Sequence, residues 1–411
     1  MDNGSSSERG QALILIVFVI AALFGAAGLA IDGGNLYAER RRAQNAADAA
    51  ALAGALARIN GESWVDTTYR VAGENGFKNN GKTTFIEVHS PPITGTYKGN
   101  IEYIQVRIRS SIRTPFASVV GVPQMSNLVE AVARSKPAEY KQMFDGAAVV
   151  SLAVQSDCDN EKSFWVHAEL TLSLEGGGLF VNSLNPDCAL MQQANGSIRI
   201  HGNYPLQVVG GWQISKPSLM TPYPPTHTAG VPYPPPFYMP KVNCNKDAEI
   251  SLDGTSMSPG NWGDQFPPEG VINLESGTYC LGGDFIMGGA QKLTGRGVLF
   301  FMTGGQFHIS GGANFDLSAG HSGQNDGLLV YQPMENKHPV ILNMGADSTF
   351  TGTVLAPGAE VRIKGSDSAS GFHSQIVGYT INADGNSNVI IRYSDSENYD
   401  ALYWPEVQFI K

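Results

Sequence analysis

QALILIVFVIAALFGAAGLAIDGGNLYAERRRAQNAADAAALAGALARI, residues Gln11–Ile59, decides how the rest of the chain is read. Ala12 to Ile31 is a run of twenty residues without a charge. At a rise of about 1.5 Å per residue, a helix of that length crosses the roughly 30 Å hydrocarbon core of a bilayer. AAGLA, near its end, resembles a small-residue cleavage site, but the run is too long for a signal-peptide core, so an uncleaved single-pass anchor is expected. Gly25, Ala26, Ala27, Gly28 and Ala30 crowd its C-terminal half. Small residues there let a second helix approach, although glycine is also simply tolerated in membrane helices.

Asp32-Gly33-Gly34-Asn35 is expected to loosen the helix. Leu36 to Ile59 then reads as helix again, rich in alanine and free of proline. Ala43, Ala46, Ala47, Ala50, Ala51 and Ala53 form a face of small side chains that buries little alone and needs a packing partner. Gly25, Gly28, Ala46 and Ala50 are the helix-packing candidates.

RGQA, the apolar span, the Asp-Gly pair, Tyr37, the cluster Arg40–Arg42 and QNAADAAALAGA together resemble the N-terminal region of TadE/TadG-like proteins of the Flp (Tad) pilus assembly system. The resemblance covers about 50 residues closely and extends weakly to about residue 136. It implies a short cytoplasmic N-terminus, residues 1–11, and an exported body. Leader processing in TadE-like pseudopilins goes with an acidic residue soon after the cleavage site. Here the first acidic residue after Gly10 is Asp32, which tilts the likeness toward TadG.

The charges are divided unevenly. Residues 1–60 balance Arg9, Arg40, Arg41, Arg42 and Arg58 against Asp2, Glu8, Asp32, Glu39 and Asp48, so the net charge of −10 lies entirely beyond residue 60. An acidic exterior argues against nucleic acid as a partner. Charge counting alone puts the side with Arg40–Arg42 in the cytoplasm. The resemblance implies the reverse, and export agrees with cysteine usage. Cys158, Cys188, Cys244 and Cys280 show neither C-x-x-C nor zinc-like spacing and read as two disulfides, sequential pairing giving the shortest loops; buried free thiols are the alternative.

Residues 60–136 read as a small α+β module. Ser63 to Asn75 has a helical face closed by Asn75-Gly76, and Thr83–His89, Tyr103–Ile112 and Ser126–Arg134 alternate as strands. Thr114 to Val122 is a short apolar segment. Gly76 to Thr83 matches the P-loop pattern, but a helix precedes it and a strand follows, the reverse of a phosphate-binding loop, so a turn is expected.

From residue 146 to 395 short strands recur between Gly, Asn and Asp turns, as in DGLLVYQ and GTVLAPGAEVRIKG. This texture predicts an all-β region, a right-handed parallel β-helix of about eight to ten coils, with a β-sandwich as the alternative. Phe350–Gly365 and Gly371–Ile381 resemble coils of exported β-helical surface modules of the choice-of-anchor or ice-binding-like kind. Residues 214–242 interrupt with nine prolines and carry Tyr223, Tyr233, Phe237 and Tyr238. Proline excludes a central strand there, which leaves a stiff loop lying on its own domain or an extended segment docking a partner. Residues 396–411, with Tyr403, Trp404 and Phe409, are expected to cap the last coil.

Nothing in the sequence assembles a catalytic, cofactor or metal site. The histidines are scattered, and the carboxylates Asp157, Asp159, Glu175, Asp253, Asp316, Asp347, Glu360 and Asp384 fall mostly in turns. Asn382 to Asn388 has oxygen ligands but lacks the spacing and closing Glu of a calcium loop. The expectation is a non-enzymatic, single-pass protein of the cell membrane with its body at the cell surface. It would act as a pilin-like or accessory component of Flp/Tad pilus assembly, with other pilus components as partners and the body displayed for adhesion or envelope contact. A stand-alone adhesin or ligand-binding scaffold that borrows the anchor is the alternative, and a β-helical carbohydrate-active enzyme a more distant one.

Overall fold

The computed structural model describes residues 6–321, 323–343, 348–365 and 370–410; Asp347 lies outside them. The chain divides into two compact units, one of residues 1–139 with 404–411, the other of residues 140–403.

In the first unit, helix α1 (Ser6–Ile59) runs without a break. At about 1.5 Å per residue it is roughly 80 Å long. The expected loosening at Asp32–Asn35 does not occur. Two internal glycines cost about 1 kcal/mol each. The Asp32 carboxylate bonds to a loop outside the helix and so does not compete for the helix's own backbone. Helix α2 (Trp64–Glu74) follows, and the Asn75 side chain closes it by donating to the Val71 carbonyl at 2.9 Å.

Strands β1 (Thr84–His89), β2 (Tyr103–Arg113) and β3 (Gln124–Lys136) form an antiparallel sheet in which Ile86, Ile108 and Val129 lie in register. Ala43, Ala46, Ala47, Ala50 and Ala51 are buried against Ile104, Val106, Ile108, Ala131 and Ala133. Methyl side chains let the helix backbone come close to the sheet, so the alanine face finds its partner within its own unit. The strand Glu406–Ile410 completes the sheet beside β3, with Phe409 opposite Ala133. This corrects the capping expectation for the end of the chain. An alternating strand needs a ladder partner, and the exposed edge of β3 supplies one.

In the second unit the pairings within the two large sheets are parallel, whereas a β-sandwich built of hairpins expects antiparallel ones. Most strands lie beside one that comes a single Gly-punctuated stretch later, as Leu179 lies opposite Leu206 and Phe300 opposite Val330. Inward side chains stack in rows: Phe285 on Phe307 at 4.2 Å, and Phe315, Phe350 and Phe372 edge to face.

The chain does not traverse these sheets end to end. Val149–Ser151 sits in the middle of its sheet, between Leu179–Val181 and Ile376–Gly385. The chain winds outward from there to the edge strand Thr226–His227, reappears at the opposite edge as Gly260–Trp262, and winds back until Asn388–Arg392 pairs with Thr171–Glu175. Edge to edge is nine steps of about 4.8 Å, some 43 Å. About 14 residues of polyproline-like chain cover that distance, so the proline-rich region has length to spare.

Its contacts trace the crossing. The Val231 amide donates to Asn182, the Tyr233 hydroxyl to the Pro357 carbonyl, and the Tyr238 amide to the Leu402 carbonyl. Phe237 is buried between Phe144 and Tyr403. The cysteines pair sequentially, and Cys244–Cys280 fastens the strap at its far end, while Cys158–Cys188 closes a turn of the first strands.

Candidate functional site on the N-terminal helix

The part of α1 from Leu13 onward is long and apolar enough to cross a membrane, and its apolar stretch is almost wholly uncovered by the rest of the chain. Leu13, Ile16, Phe18, Leu23, Phe24 and Leu29 all face outward. These side chains are exposed, in contrast to the buried alanines farther along the same helix.

The two halves meet at Asp32. Its side chain is buried, and Oδ2 accepts the amides of Phe116 at 3.1 Å and Ala117 at 2.7 Å. These residues open a 3-10 turn, Ala117–Val120, inside the loop that joins β2 to β3. The carboxylate therefore acts as the cap that the turn lacks in its own sequence.

Of the packing candidates, Ala46 and Ala50 lie fully buried against the sheet. Gly28 lies under Phe116: a Cβ there would sit 2.7 Å from the Phe116 Cβ. Gly25 has open space where a Cβ would be, and it lines an apolar cleft with Phe24, Leu29, Phe116, Val119 and Val120. Sequence reading missed Gly54, where a Cβ would come within 2.2 Å of the Thr68 hydroxyl of α2. It also missed the docked loop, although an Asp directly after an apolar span and an uncharged TPFASVVGVP between two polar strands were both visible.

Residues 10–57 match the family model described as putative Flp pilus-assembly TadE/G-like. No curated protein and no solved structure matches the chain. The TadE/G-like segment thus takes in the apolar span, Asp32, the basic cluster and the alanine face, as one helix.

Several carboxylates of the second unit hold local structure. Asp157 Oδ1 accepts the amides of Asp159, Asn160 and Glu161, which lowers its pKa from the ordinary value. Asp253 caps Ser251 and Thr255, Glu175 binds Arg392 at 2.9 Å, and Asp316 binds Arg296 and Thr349. An open groove of about 530 Å³ is lined by Lys162, Trp165, Glu360, Arg362 and Asn382. Within and beside it, Trp165 stacks on His167 under the Lys162 ammonium, His167 meets Asn382 at 3.1 Å, and Glu360 pairs with Arg362. These groups partner one another. Gly76–Thr83, the P-loop look-alike, is a turn held by Asn80, whose side-chain oxygen accepts the amides of Lys82, Thr83 and Thr84. Asn382–Asn388 spans the end of one strand and the start of the next.

Proposed function

We propose that the chain is a membrane-anchored accessory component of Flp/Tad pilus assembly, its body exported and displayed for adhesion or envelope contact. The observation that carries this is the TadE/G-like match over a helix whose apolar half is uncovered and whose alanine half is built into a folded module. The two disulfides support an extracytoplasmic body, since such bonds persist in oxidising compartments.

We read the strand-rich unit as a parallel β-helix. The repeated parallel pairings and the stacked inward aromatics support that reading. The unit acts as a non-enzymatic scaffold, its carboxylates holding turns and strand pairs and its surface available to other pilus components or to a ligand.

Deletion and complementation in cells that carry a Flp/Tad system test this. Loss of the chain is expected to reduce piliation and adherence. The full chain should restore both, and a chain lacking residues 12–31 should restore neither. Protease shaving of intact cells should release disulfide-bonded peptides of residues 140–403. Piliation and adherence that survive the deletion sink the proposal. Loss of adherence with normal piliation leaves the stand-alone adhesin instead.

A further inference from the structure

We propose that the loop Thr114–Pro123 is a second membrane contact, seated in the lipid leaflet that borders the folded module, alongside the last turns of the apolar span. The inference rests on the anchor reading above.

Depth is the first argument. The loop packs against α1 at Gly28, and its apolar cleft, about 400 Å³, reaches Leu29, Gly25, Phe24 and Ala21. Ala21 lies eleven residues before Asp32, which is about 16 Å along a helix. A hydrocarbon core is roughly 30 Å thick. Whatever solvent surrounds Ala21 to Leu29 therefore also surrounds the loop side chains beside them. If the span is in lipid, so are Val119 and Val120. This holds whichever way the anchor points.

The loop's own chemistry is the second argument. Val119 is 86% exposed, Val120 77% and Phe116 46%, and no residue from Thr114 to Gln124 carries a charge. In water such a tip is a patch of wasted apolar surface. Non-helical backbone beside hydrocarbon is tolerated only when its polar groups are satisfied within the protein. Here the donors find acceptors within the protein. The amides of Phe116 and Ala117 go to Asp32, that of Thr114 to the Pro123 carbonyl, Ser118 to Thr114, Val119 to Phe116, Gly121 to Ser118, and Val122 to Ala117. Pro115 and Pro123 have no amide hydrogen to satisfy. The Thr114 and Ser118 hydroxyls donate to the carbonyls of Val122 and Pro115. These donors are satisfied within the protein while the Val119 and Val120 side chains stay exposed, as a lipid-facing surface requires; the other Asp32 oxygen, Oδ1, is buried without a partner. Arg113, exposed at the loop's base, is placed to reach headgroups.

The test uses the full chain in phosphatidylcholine vesicles, with brominated acyl chains as the quencher. Val120→Trp adds a reporter at the loop tip, and Phe24→Trp adds one to the span. The unsubstituted chain gives the background of the native tryptophans, which lie outside the span. Both added tryptophans are expected to lose the larger part of their emission when the acyl chains are brominated. A quenched Phe24→Trp with an unquenched, red-shifted Val120→Trp puts the loop in water and overturns the proposal while leaving the anchor intact. An unquenched but blue-shifted Val120→Trp means that a second copy or another protein covers the loop, and also overturns it. If Phe24→Trp itself is unquenched, the anchor reading fails and the loop proposal falls with it.

Discussion

Asp32 and Ala117 stand 85 residues apart in sequence and are joined by a 2.7 Å hydrogen bond from the Ala117 amide to the Asp32 carboxylate. The Phe116 amide shares the same oxygen at 3.1 Å. One acidic side chain thus ties the loop to the helix. Asp32→Ala leaves two inward-facing amides without an acceptor, at a cost of roughly 2 kcal/mol. Hydrogen exchange of residues 114–123 should then speed up by about 30-fold. Asp32→Asn keeps an acceptor oxygen and should lose clearly less protection. Equal exchange in the wild-type and alanine proteins would show that the latch carries no weight.

Two glycines one turn apart give a sharper contrast. Gly→Ala in a helix normally stabilises by up to about 1 kcal/mol. Gly25→Ala meets nothing within 4 Å and should follow that rule. Gly28→Ala forces a Cβ to 2.7 Å from the Phe116 Cβ, and Gly54→Ala one to 2.2 Å from the Thr68 hydroxyl. Both should destabilise by about 1–3 kcal/mol, as overpacking does. Gly28→Ala should raise exchange in residues 114–123, and Gly54→Ala exchange in α2. Thermal unfolding in detergent, with hydrogen exchange, separates the three.

What was legible in the sequence was local. The apolar run, the alanine face, the Asn75-Gly76 stop and the alternating strands β1 to β3 each depend on spacing within a few residues. What was hidden depends on long-range pairing. Val149 opposite Ile376 and Thr171 opposite Asn388 join distant parts of the chain, and nothing near either residue announces its partner. The strand Glu406–Ile410 alternated plainly, but its place beside β3 was set by an unfilled edge. At the candidate site, Gly28 and Ala46 were visible as small residues, whereas Asp32 mattered through amides in a loop read only as apolar.

The proline-rich crossing should behave as part of the fold. Phe237 is buried between Phe144 and Tyr403, so Phe237→Ala should cost about 3–5 kcal/mol. Tyr223, half exposed on the same segment, should tolerate alanine within about 0.5 kcal/mol. Replacing both Cys244 and Cys280 with serine opens a loop whose ends are 36 residues apart, a loss of about 4 kcal/mol on the chain-entropy account. Chemical unfolding of the three variants measures these directly. A Phe237→Ala protein as stable as wild type would mean that the crossing merely drapes over the body.

Acid acts on two carboxylates in opposite directions. The Asp157 pKa is lowered below 3.8, first by the amides of Asn160, Glu161 and Asp159. Its folded form prefers the charge, so its contribution is present above about pH 3.8 and is lost as pH falls through the lowered value. The Asp400 pKa is raised above 3.8, first by burial and then by Asp395 and Asp326. Its folded form resists the charge, so it weakens the fold above the raised value, and the penalty fades as pH falls toward 3.8. Asp400→Asn should therefore raise the melting temperature at neutral pH and lose that advantage below about pH 3.8. Asp157→Asn should lower the melting temperature at neutral pH and converge with wild type only at more acid pH. Melting curves across the carboxylate range check both signs, and a pH-independent offset for Asp400→Asn would mean that packing, not charge, sets its effect.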